Sequence, residues 1–557
     1  MLTDRPRTRG SRLIGLCLLA GPAVLAQVPA GLTLADFFDG SKVQELRFEI
    51  RPADWAKLKA TYLDNTYYPV EFTWLANGKE VTVPDVAIRS RGRGSRSSIK
   101  PNLRIDFNRY DPEQKFLGVN SAVLKANNQD ASMLKERSVF KLYSRLGLPA
   151  SMQAPCRLFI NGEYVGLFLL TEEVRSEYTK RYLGEGSGDL FKYDPFPTYY
   201  FDWRPTCGKS DEVACSTDPA RWTPAPFNPE ENKSTFDIAP WINFIRSFNE
   251  ASDADFAAAV EKSIDPKVFL NHIAAESYVT DYDSMLGDVF GMNNFFVYRH
   301  KEGGKFDFLL WDKDASYDWA TRDIFHNLSK NILTRRLTAI PQRKNEYLEA
   351  LYKLVVLAGG KDGWLEWYNR QSYNQIKEAV YADKNKQYSK SGVETPSTNE
   401  VFEAQIAANE KYVTERAAFV WTALTEVGYV PSTAVTLAEQ VVNEAREAVS
   451  AITPGAVVEL TGLGFGEETL EAAADKPVTR LGNVSVYING FEAQLLTLAP
   501  DRIRIKIPAE LGTSTGTTPI TVMVSGPTNS RGTRSGSPIN ATFSNTIKVA
   551  VAAPPAA

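Results

Sequence analysis

Histidine and cysteine are scarce in this chain: His272, His300 and His326 are the only histidines among 557 residues, and there are four cysteines. None of them cluster at the spacing of a zinc site, which excludes zinc hydrolase chemistry. An excess of one charge is also missing. Lys plus Arg total 63 against 67 Asp plus Glu, a net charge of -4, so the molecule as a whole lacks the polybasic signature of a nucleic-acid binder. There is no Gly-x-Gly-x-x-Gly loop. What the chain does have is 43% hydrophobic and 11% aromatic residues. That is ample for a large packed core and argues against global disorder. A length of 557 residues suggests about two to four domains.

The N-terminus reads as a secretory leader. Arg5, Arg7, Arg9 and Arg12 precede the apolar run Leu13–Ala26, which ends in small residues. A basic leader, a short apolar core and small residues before a cut are the signal-peptide pattern, here residues 1–26 with cleavage near Gln27. The run has 14 residues, short of the about 20 that a membrane-spanning helix needs. Secretion to the cell surface, the extracellular space or the periplasm is therefore expected, with no lasting anchor. In an oxidising compartment the spacing of Cys207 and Cys215 permits a loop disulfide, leaving Cys156 as a small buried hydrophobe in a strand.

Strand-like alternation at Val43–Ile50, Val70–Trp74, Val81–Ser90 and Leu103–Phe107 predicts an antiparallel sheet. Pro52–Tyr62 reads as a short helix and Ala131–Leu146 as a longer one ending at Gly147. Cys156–Ile160 and Tyr164–Thr171 flank Asn161-Gly162, the strongest short hairpin signal. Ser187–Asp237, rich in Pro, Tyr, Asn and acidic residues, reads as a long surface insertion. Trp241–Ser284 is mainly helical in pattern. A second hairpin, Asn293–Tyr298 and Lys305–Leu310, turns at Gly303-Gly304. Ile332–Tyr381 and Asn399–Glu426 have helical period. Strands first and helices later make an α+β plan. Beyond Gly428 the composition shifts to Val, Ile, Thr and Gly, with short alternating runs and frequent turn signals, the pattern of a small β-sandwich.

Two constellations could carry chemistry. Arg89–Arg104 holds six basic residues, no acidic one, and Gly92 and Gly94 inside a Ser-rich turn. Glycines let backbone N–H groups approach an anion, and Arg or Lys supply charge, which suits a phosphate; a solvated basic hairpin tip is the plain alternative. The leader and the lack of interleaved aromatics set RNA binding aside. The second constellation is acidic: Asp281, Asp283, Asp288, Asp307, Asp312, Asp314 and Asp318, with Asn293-Asn294 between. Several of these sit at element ends, where backbone can hold them around one point. Carboxylate and amide oxygens suit Mg²⁺ or Mn²⁺ carrying a nucleotide, and a separate carboxylate could accept a hydroxyl proton. Asp residues in loops also serve as caps and turn formers. An EF-hand is rejected, because Tyr317 stands where that loop needs Gly and the twelfth position is Asp323.

Four ordered blocks resemble the CotH kinase family: Arg89–Phe107, Asn161–Glu172, Asp281–Tyr298 and Trp311-Asp-Lys-Asp314. The resemblance spans about 40–428 and implies an atypical, minimal protein-kinase-like fold, strand-rich then helical, with ATP and Mg²⁺ or Mn²⁺ as cofactors. By position, Asp283 matches the catalytic Asp, Asn294 a metal ligand after it, and Asp312 the metal-binding Asp, with Asp314 a further ligand. Arg91, Arg93, Lys100 and Arg104 would contact phosphate, with Lys100 preferred. Glu172 would lie near the adenine connection. Glu136 could pair with the phosphate-binding lysine, although a solvated helix face is the better expectation for it. The segment Ser284–Met292 is an apolar insert where a short polar catalytic loop is expected, and Asp288 competes with Asp283 for the catalytic assignment.

Pro454–Gly466, Val484–Gly490 and Ile503–Pro508 resemble an IPT/TIG immunoglobulin-like domain at 454–549, with 429–453 a connector and 550–557 a disordered tail. Such a sandwich implies a carbohydrate or protein ligand. Together these features describe a secreted atypical kinase transferring the γ-phosphate of ATP to Ser or Thr hydroxyls of a protein substrate. The alternative is a non-catalytic extracellular adhesion protein, with a cell-surface partner, on the same scaffold.

Overall fold

The computed structural model describes residues 30–195, 199–203, 227–288, 291–390, 393–512, 516–526 and 537–553. The leader at 1–26 and both Cys207 and Cys215 lie outside them. Helices α1 (Leu34–Phe37) and α2 (Pro52–Ala60) accompany seven strands: β1 (Gln44–Glu49), β2 (Tyr68–Ala76), β3 (Lys79–Ser90), β4 (Leu103–Asp106), β5 (Ser121–Lys125), β6 (Gln153–Ile160) and β7 (Glu163–Glu172). They close into a barrel in the order β1-β2-β3-β4-β5-β7-β6. All neighbours are antiparallel except β1 and β6, which run parallel from Gln44 opposite Cys156 to Phe48 opposite Ile160. Alternation drives this: β2 buries every second residue, sending Phe72 and Trp74 inward with Phe48, Phe107, Phe116 and Leu158. Asn161 and Gly162 both take positive φ, +50° and +79°, so the Asn-Gly turn joins β6 to β7 as expected. Cys156 is buried and free, its thiol pushed up by that burial.

β5 is the strand that periodicity did not reveal. Its five residues are all buried, so no polar-apolar alternation marks it. Behind the barrel runs α3 (Lys135–Leu146), then α4 (Ser176–Leu183). The region 187–237 is not simply a surface insertion: it supplies β8 (Asp189–Tyr193) and β9 (Phe227–Pro229), which join β10 (Phe295–Arg299) and β11 (Phe306–Leu310) in a sheet ordered β11-β10-β8-β9. Phe191, Tyr193 and Phe227 enter the core there, a tertiary burial that overrides the segment's polar composition. Helices α5 (Ala239–Glu250), α6 (Asp253–Glu261), α7 (Pro266–Tyr278), α8 (Ile332–Ala339), α9 (Pro341–Ala358), α10 (Trp364–Ala382) and α11 (Asn399–Glu426) build the rest of this half, with a small hairpin β12 (Gln387–Lys390) and β13 (Val393–Pro396). Among the described residues no helix is long and apolar enough to cross a membrane.

The stretch 429–453, expected to be a connector, is built into the C-terminal sheets instead. β14 (Thr436–Val442) pairs with β16 (Val457–Leu463), and β15 (Ala451–Ile452) pairs with β24 (Ile547–Val551). Ala550 and Val551, expected in a disordered tail, are therefore strand residues. One sheet has the order β14-β16-β21-β20-β17, with β17 (Leu470–Glu471), β20 (Gln494–Ala499) and β21 (Arg502–Lys506). The other has the order β15-β24-β22-β18-β19, with β18 (Val484–Ile488), β19 (Phe491–Glu492) and β22 (Thr517–Val524), and β23 (Thr542–Phe543) beside β22. Their apolar residues form one continuous core with the helices.

Arg416 on α11 is fully buried and donates only to backbone carbonyls: Nε to Tyr278 (2.9 Å), Nη2 to Ser277 (2.9 Å), and Nη1 to Ala320 (3.0 Å) and Arg322 (2.5 Å). It joins the end of α7 to the loop beyond residue 318. Arg416→Met removes all four bonds and leaves the Ala320 and Arg322 carbonyls without this donor, which is expected to lower unfolding free energy by about 3 kcal/mol in urea denaturation; a loss within noise would refute the role. His300 offers a pH readout. Its Nε2 lies 2.7 Å from Asp307 and its Nδ1 3.2 Å from Glu185. Burial opposes its charge, but these carboxylates raise its pKa overall. A raised histidine stabilises the fold below its unfolded pKa of about 6.5 and loses that contribution as pH climbs through the folded value. The Tm penalty of His300→Gln is thus expected to be larger near about pH 6 than about pH 9; a pH-independent penalty would contradict it.

Candidate active site

The site begins at the last residue of β5. The Lys125 ammonium is 7% exposed and donates to both carboxylate oxygens of Glu136, at 2.7 and 2.5 Å, and to Asp312 Oδ1 at 2.7 Å. It also lies 4.7 Å from the Trp311 ring centroid. Burial alone would lower its pKa, but Asp312 and Glu136 more than offset that, so the lysine stays charged. Glu136 reaches it because Asp130 starts α3: its Oδ2 accepts from the N–H groups of Leu134 (2.9 Å) and Lys135 (2.8 Å). Glu136 falls in the first turn, turned into the protein rather than onto the solvated face expected of it.

Asp312 follows β11 with φ +56°, a left-handed conformation that Asp tolerates better than bulky residues. Its carboxyl is pulled to about 2, since Lys125 and Arg91 outweigh its burial. The next residue goes the opposite way: Lys313, fully buried, donates to Glu276 and Asp281, each at 2.9 Å. Asp281 is thereby an internal anchor. Asp314 comes back beside Asp312, and burial and the Asp312 charge raise its carboxyl well above the usual range. Asp312 and Asp314 share a water-sized polar hollow with Lys125, Asn127 and Asn128.

Asp283 sits in the turn after α7. Its Oδ1 accepts from Asn293 Nδ2 (2.8 Å) and its Oδ2 from Asn294 Nδ2 (3.0 Å), and Asn294 also donates to its backbone carbonyl (2.9 Å). Burial pushes the Asp283 carboxyl up to about 6, against the Asn293 hydrogen bond. The Trp311 N–H donates to the Asn294 carbonyl at 3.1 Å, which ties Asp312 to the Asp283–Asn294 pair. Met285, Leu286 and Met292 of the apolar insert are buried in the core and do not line the cavity. Asp288 accepts from His326 (2.9 Å) and Asn327 (2.6 Å) and does not compete with Asp283.

Asp283, Asn294 and Asp312 line a cavity of about 770 Å³ together with Arg91, Arg93, Arg175, Lys192 and Glu173. Arg91 stacks over Trp311 at 5.5 Å, and Arg93 is exposed. Arg96 holds the basic turn down by donating to the carbonyls of Tyr62, Leu63 and Asp64. A larger hollow of about 930 Å³ between α3 and α10 contains none of Lys125, Asp283 or Asp312.

Three expectations are corrected. Lys100 is fully buried with its ammonium on Asp383 (2.7 Å) and the Leu167 carbonyl (2.7 Å); it fastens the basic turn to the end of α10 and faces no cavity. Arg104 is held by Glu173 (2.9 Å) and Tyr67 (2.7 Å), so it orients Glu173 instead of lining the cavity. Glu172 pairs with Arg181 and accepts from the Met152 N–H (3.1 Å), while Glu173, the first residue after β7, lines the cavity, held by Arg104 (2.9 Å) and Ser121 (2.5 Å). Lys125, Glu173, Arg175 and Lys192 were not anticipated. The one local signal for Lys125 is a single charge closing an apolar run, shortly before a helix with Glu in its first turn.

The donor set can be weighed for a divalent ion. Among the described residues no three His, Cys, Asp or Glu side chains converge on one point as a ready-made metal cluster. Asp312, Asp314 and Asn294 are nonetheless hard oxygen donors, and Asp314 is crowded by the Asp312 charge, which fits a Mg²⁺ or Mn²⁺ that brings phosphate oxygens and water to complete its shell.

The family model described as CotH kinase protein matches residues 88–420, which includes every residue of the site and excludes β1, β2 and the C-terminal sheets. The inner spore coat protein H of Bacillus subtilis (strain 168) is 24% identical over 314 residues, covering 55% of this chain and 79% of that protein.

Lys125→Met would leave the buried Glu136 and the partly exposed Asp312 without their shared cation. It is expected to cost about 3–5 kcal/mol of unfolding free energy, and Glu136→Gln less, since Lys125 keeps Asp312. Equal losses in denaturant titrations would mean that Lys125 is not shared between them.

Proposed function

Since the chain belongs to the CotH kinase protein family, we propose that it transfers the γ-phosphoryl group of ATP to a Ser or Thr hydroxyl of a protein, using a diverged kinase-like arrangement. The observation that carries this reading is the Lys125 ammonium gripped by Glu136 and Asp312, with Asp312 entering the same cavity as Asp283 and Asn294. Kinases need a Lys–Glu ion pair beside a metal-binding Asp, and the Lys125–Glu136 pair next to Asp312 supports this reading.

In this reading Asp283 orients the acceptor hydroxyl and takes its proton as the oxygen–phosphorus bond forms and the bond to the ADP oxygen breaks. A carboxyl pushed up to about 6 by burial is a better proton acceptor near neutral pH than an ordinary aspartate. Asn293 and Asn294 hold both of its oxygens in place. Arg91, Arg93 and Lys192 offset the charge of the phosphates, and Glu173 and Arg175 line the same cavity. A divalent ion held by Asp312, Asn294 and Asp314 would supply further charge neutralisation at the phosphates. Rate would then come from positioning and fixed charge. The N-terminal leader and the coat location in the relative's name support export or surface attachment, and the C-terminal sheets are read as an IPT/TIG-like module.

The test is a pair of variants assayed with labelled ATP and Mg²⁺ or Mn²⁺. Wild type at ATP near 100 times its Kd is expected to gain about 2.7 kcal/mol of stability, visible as a thermal shift. Asp312→Ala is expected to lose the shift, and Asp283→Ala to keep it while losing phosphate transfer. A wild type with neither shift nor label would leave a non-catalytic adhesion scaffold as the better reading.

A further inference from the structure

Helix α3 carries Glu136 in its first turn and Arg145 in its last. Nine residues place them about 14 Å apart along the axis and on opposite faces. Glu136 meets Lys125, whereas Arg145 meets the C-terminal sheets. The Arg145 Nη2 donates to the Gly490 carbonyl at 2.6 Å, and its guanidinium lies 3.8 Å from the Trp364 ring centroid. Gly147, which ends the helix at φ +95°, approaches Ser537 so closely that a Cβ would stand 2.1 Å from its Oγ.

The contact is centred on one turn, Asn489-Gly490, between β18 and β19. Asn489 Nδ2 donates to the Lys361 carbonyl (2.9 Å), and its Oδ1 accepts from the Gly360 N–H (2.8 Å). The Trp364 N–H donates to the Asn489 carbonyl at 3.0 Å. A Cβ on Gly359 would sit 2.2 Å from that carbonyl oxygen, and one on Gly490 2.8 Å from the Leu357 oxygen. Backbone therefore meets backbone with no room for adjustment, and a turn from outside the matched family region is wedged against α3, the end of α9 and the start of α10.

We infer that the C-terminal β unit is a brace for the phosphate site: its Asn489-Gly490 turn fixes the far end of α3 and so holds Glu136 against Lys125. Arg145 and Asn489 are positioning residues for transfer. The inference rests on the kinase reading. A helix of this length moves as a rod, so releasing Arg145 displaces the turn that holds Glu136. α3 is also held along its length, for example by Ser138 Oγ donating to Asn369 at 2.5 Å, so a merely structural interface would cost stability without acting through Glu136.

A double-mutant cycle on the full chain separates the two. Autophosphorylation with ATP and Mg²⁺ is measured for wild type, Arg145→Met, Glu136→Gln and the double variant. Arg145→Met is expected to slow transfer about tenfold alone but less than about twofold in the Glu136→Gln background, because coupled residues are non-additive. Equal factors in both backgrounds, or no effect, overturn the brace. Asn489→Ala repeats the cycle without touching α3, should Arg145→Met fail to fold. If wild type transfers no phosphate, the kinase reading fails, and hydrogen exchange then judges the brace. Faster exchange of the Ser138–Phe140 amides at unchanged global unfolding free energy supports it, and unchanged exchange, or a rise shared by the whole protein, overturns it.

Discussion

One positive charge holds this site together. Lys125 comes from a barrel strand, Glu136 from a helix and Asp312 from the end of a strand in a second sheet, so three segments spread over 187 residues of chain meet at a single ammonium. Removing such a group from water is costly, and its attraction to a buried partner repays the cost only with good geometry and further hydrogen bonds. Here Glu136 is additionally bonded by Gln153 at 2.8 Å, and Asp312 remains 33% exposed. The lysine thus has one partner fixed inside and one facing the cavity.

The chain uses buried lysines in two distinct ways. Lys100 on Asp383 and Lys313 between Glu276 and Asp281 are fully enclosed on both sides; each holds two segments together and meets no open space. Lys125 alone of these three has a partner with an exposed oxygen. The Asp312-Lys313-Asp314 triplet combines both uses. Its central residue points inward as an anchor, which turns both carboxylates back toward the basic turn. Arg416 then fixes the loops before and after them through backbone carbonyls, so the positions of Asp283 and Asp312 depend on groups that never reach the cavity.

How much of this could be read from sequence follows from how local each feature is. Asp283, Asn294 and Asp312 were legible because they sit at the ends of apolar runs, where carboxylates and amides are rarely needed for packing. The barrel strands other than β5 were legible from alternation, and the β6–β7 hairpin from its Asn161-Gly162 turn. Lys100 was preferred for phosphate because it lies in a conspicuous basic stretch, yet its partner Asp383 is 283 residues away, a pairing no local pattern records. Glu172 and Glu173 differ by one position, and β7 ends between them, so only tertiary pairing with Arg104 and Ser121 decides which carboxylate reaches the cavity. The region 187–237 looked like surface because Pro and acidic residues outnumber the few aromatics that β8 and β9 bury. The sheets beyond residue 428 were visible as strands, but their start was placed too late, since β14 is only partly buried and its pairing is interrupted between Leu437 and Val441.

The parallel pairing of β1 with β6 has a consequence for the order of events during synthesis. β1 ends at residue 49 and its closing partner begins at residue 153, so one edge of β1 has nothing to pair with until more than a hundred further residues have been made. Contacts of such wide sequence separation slow folding and leave strand edges open meanwhile. Closure is therefore the last step in assembling the barrel, since it waits for β6, and until then the free edge of β1 stays open.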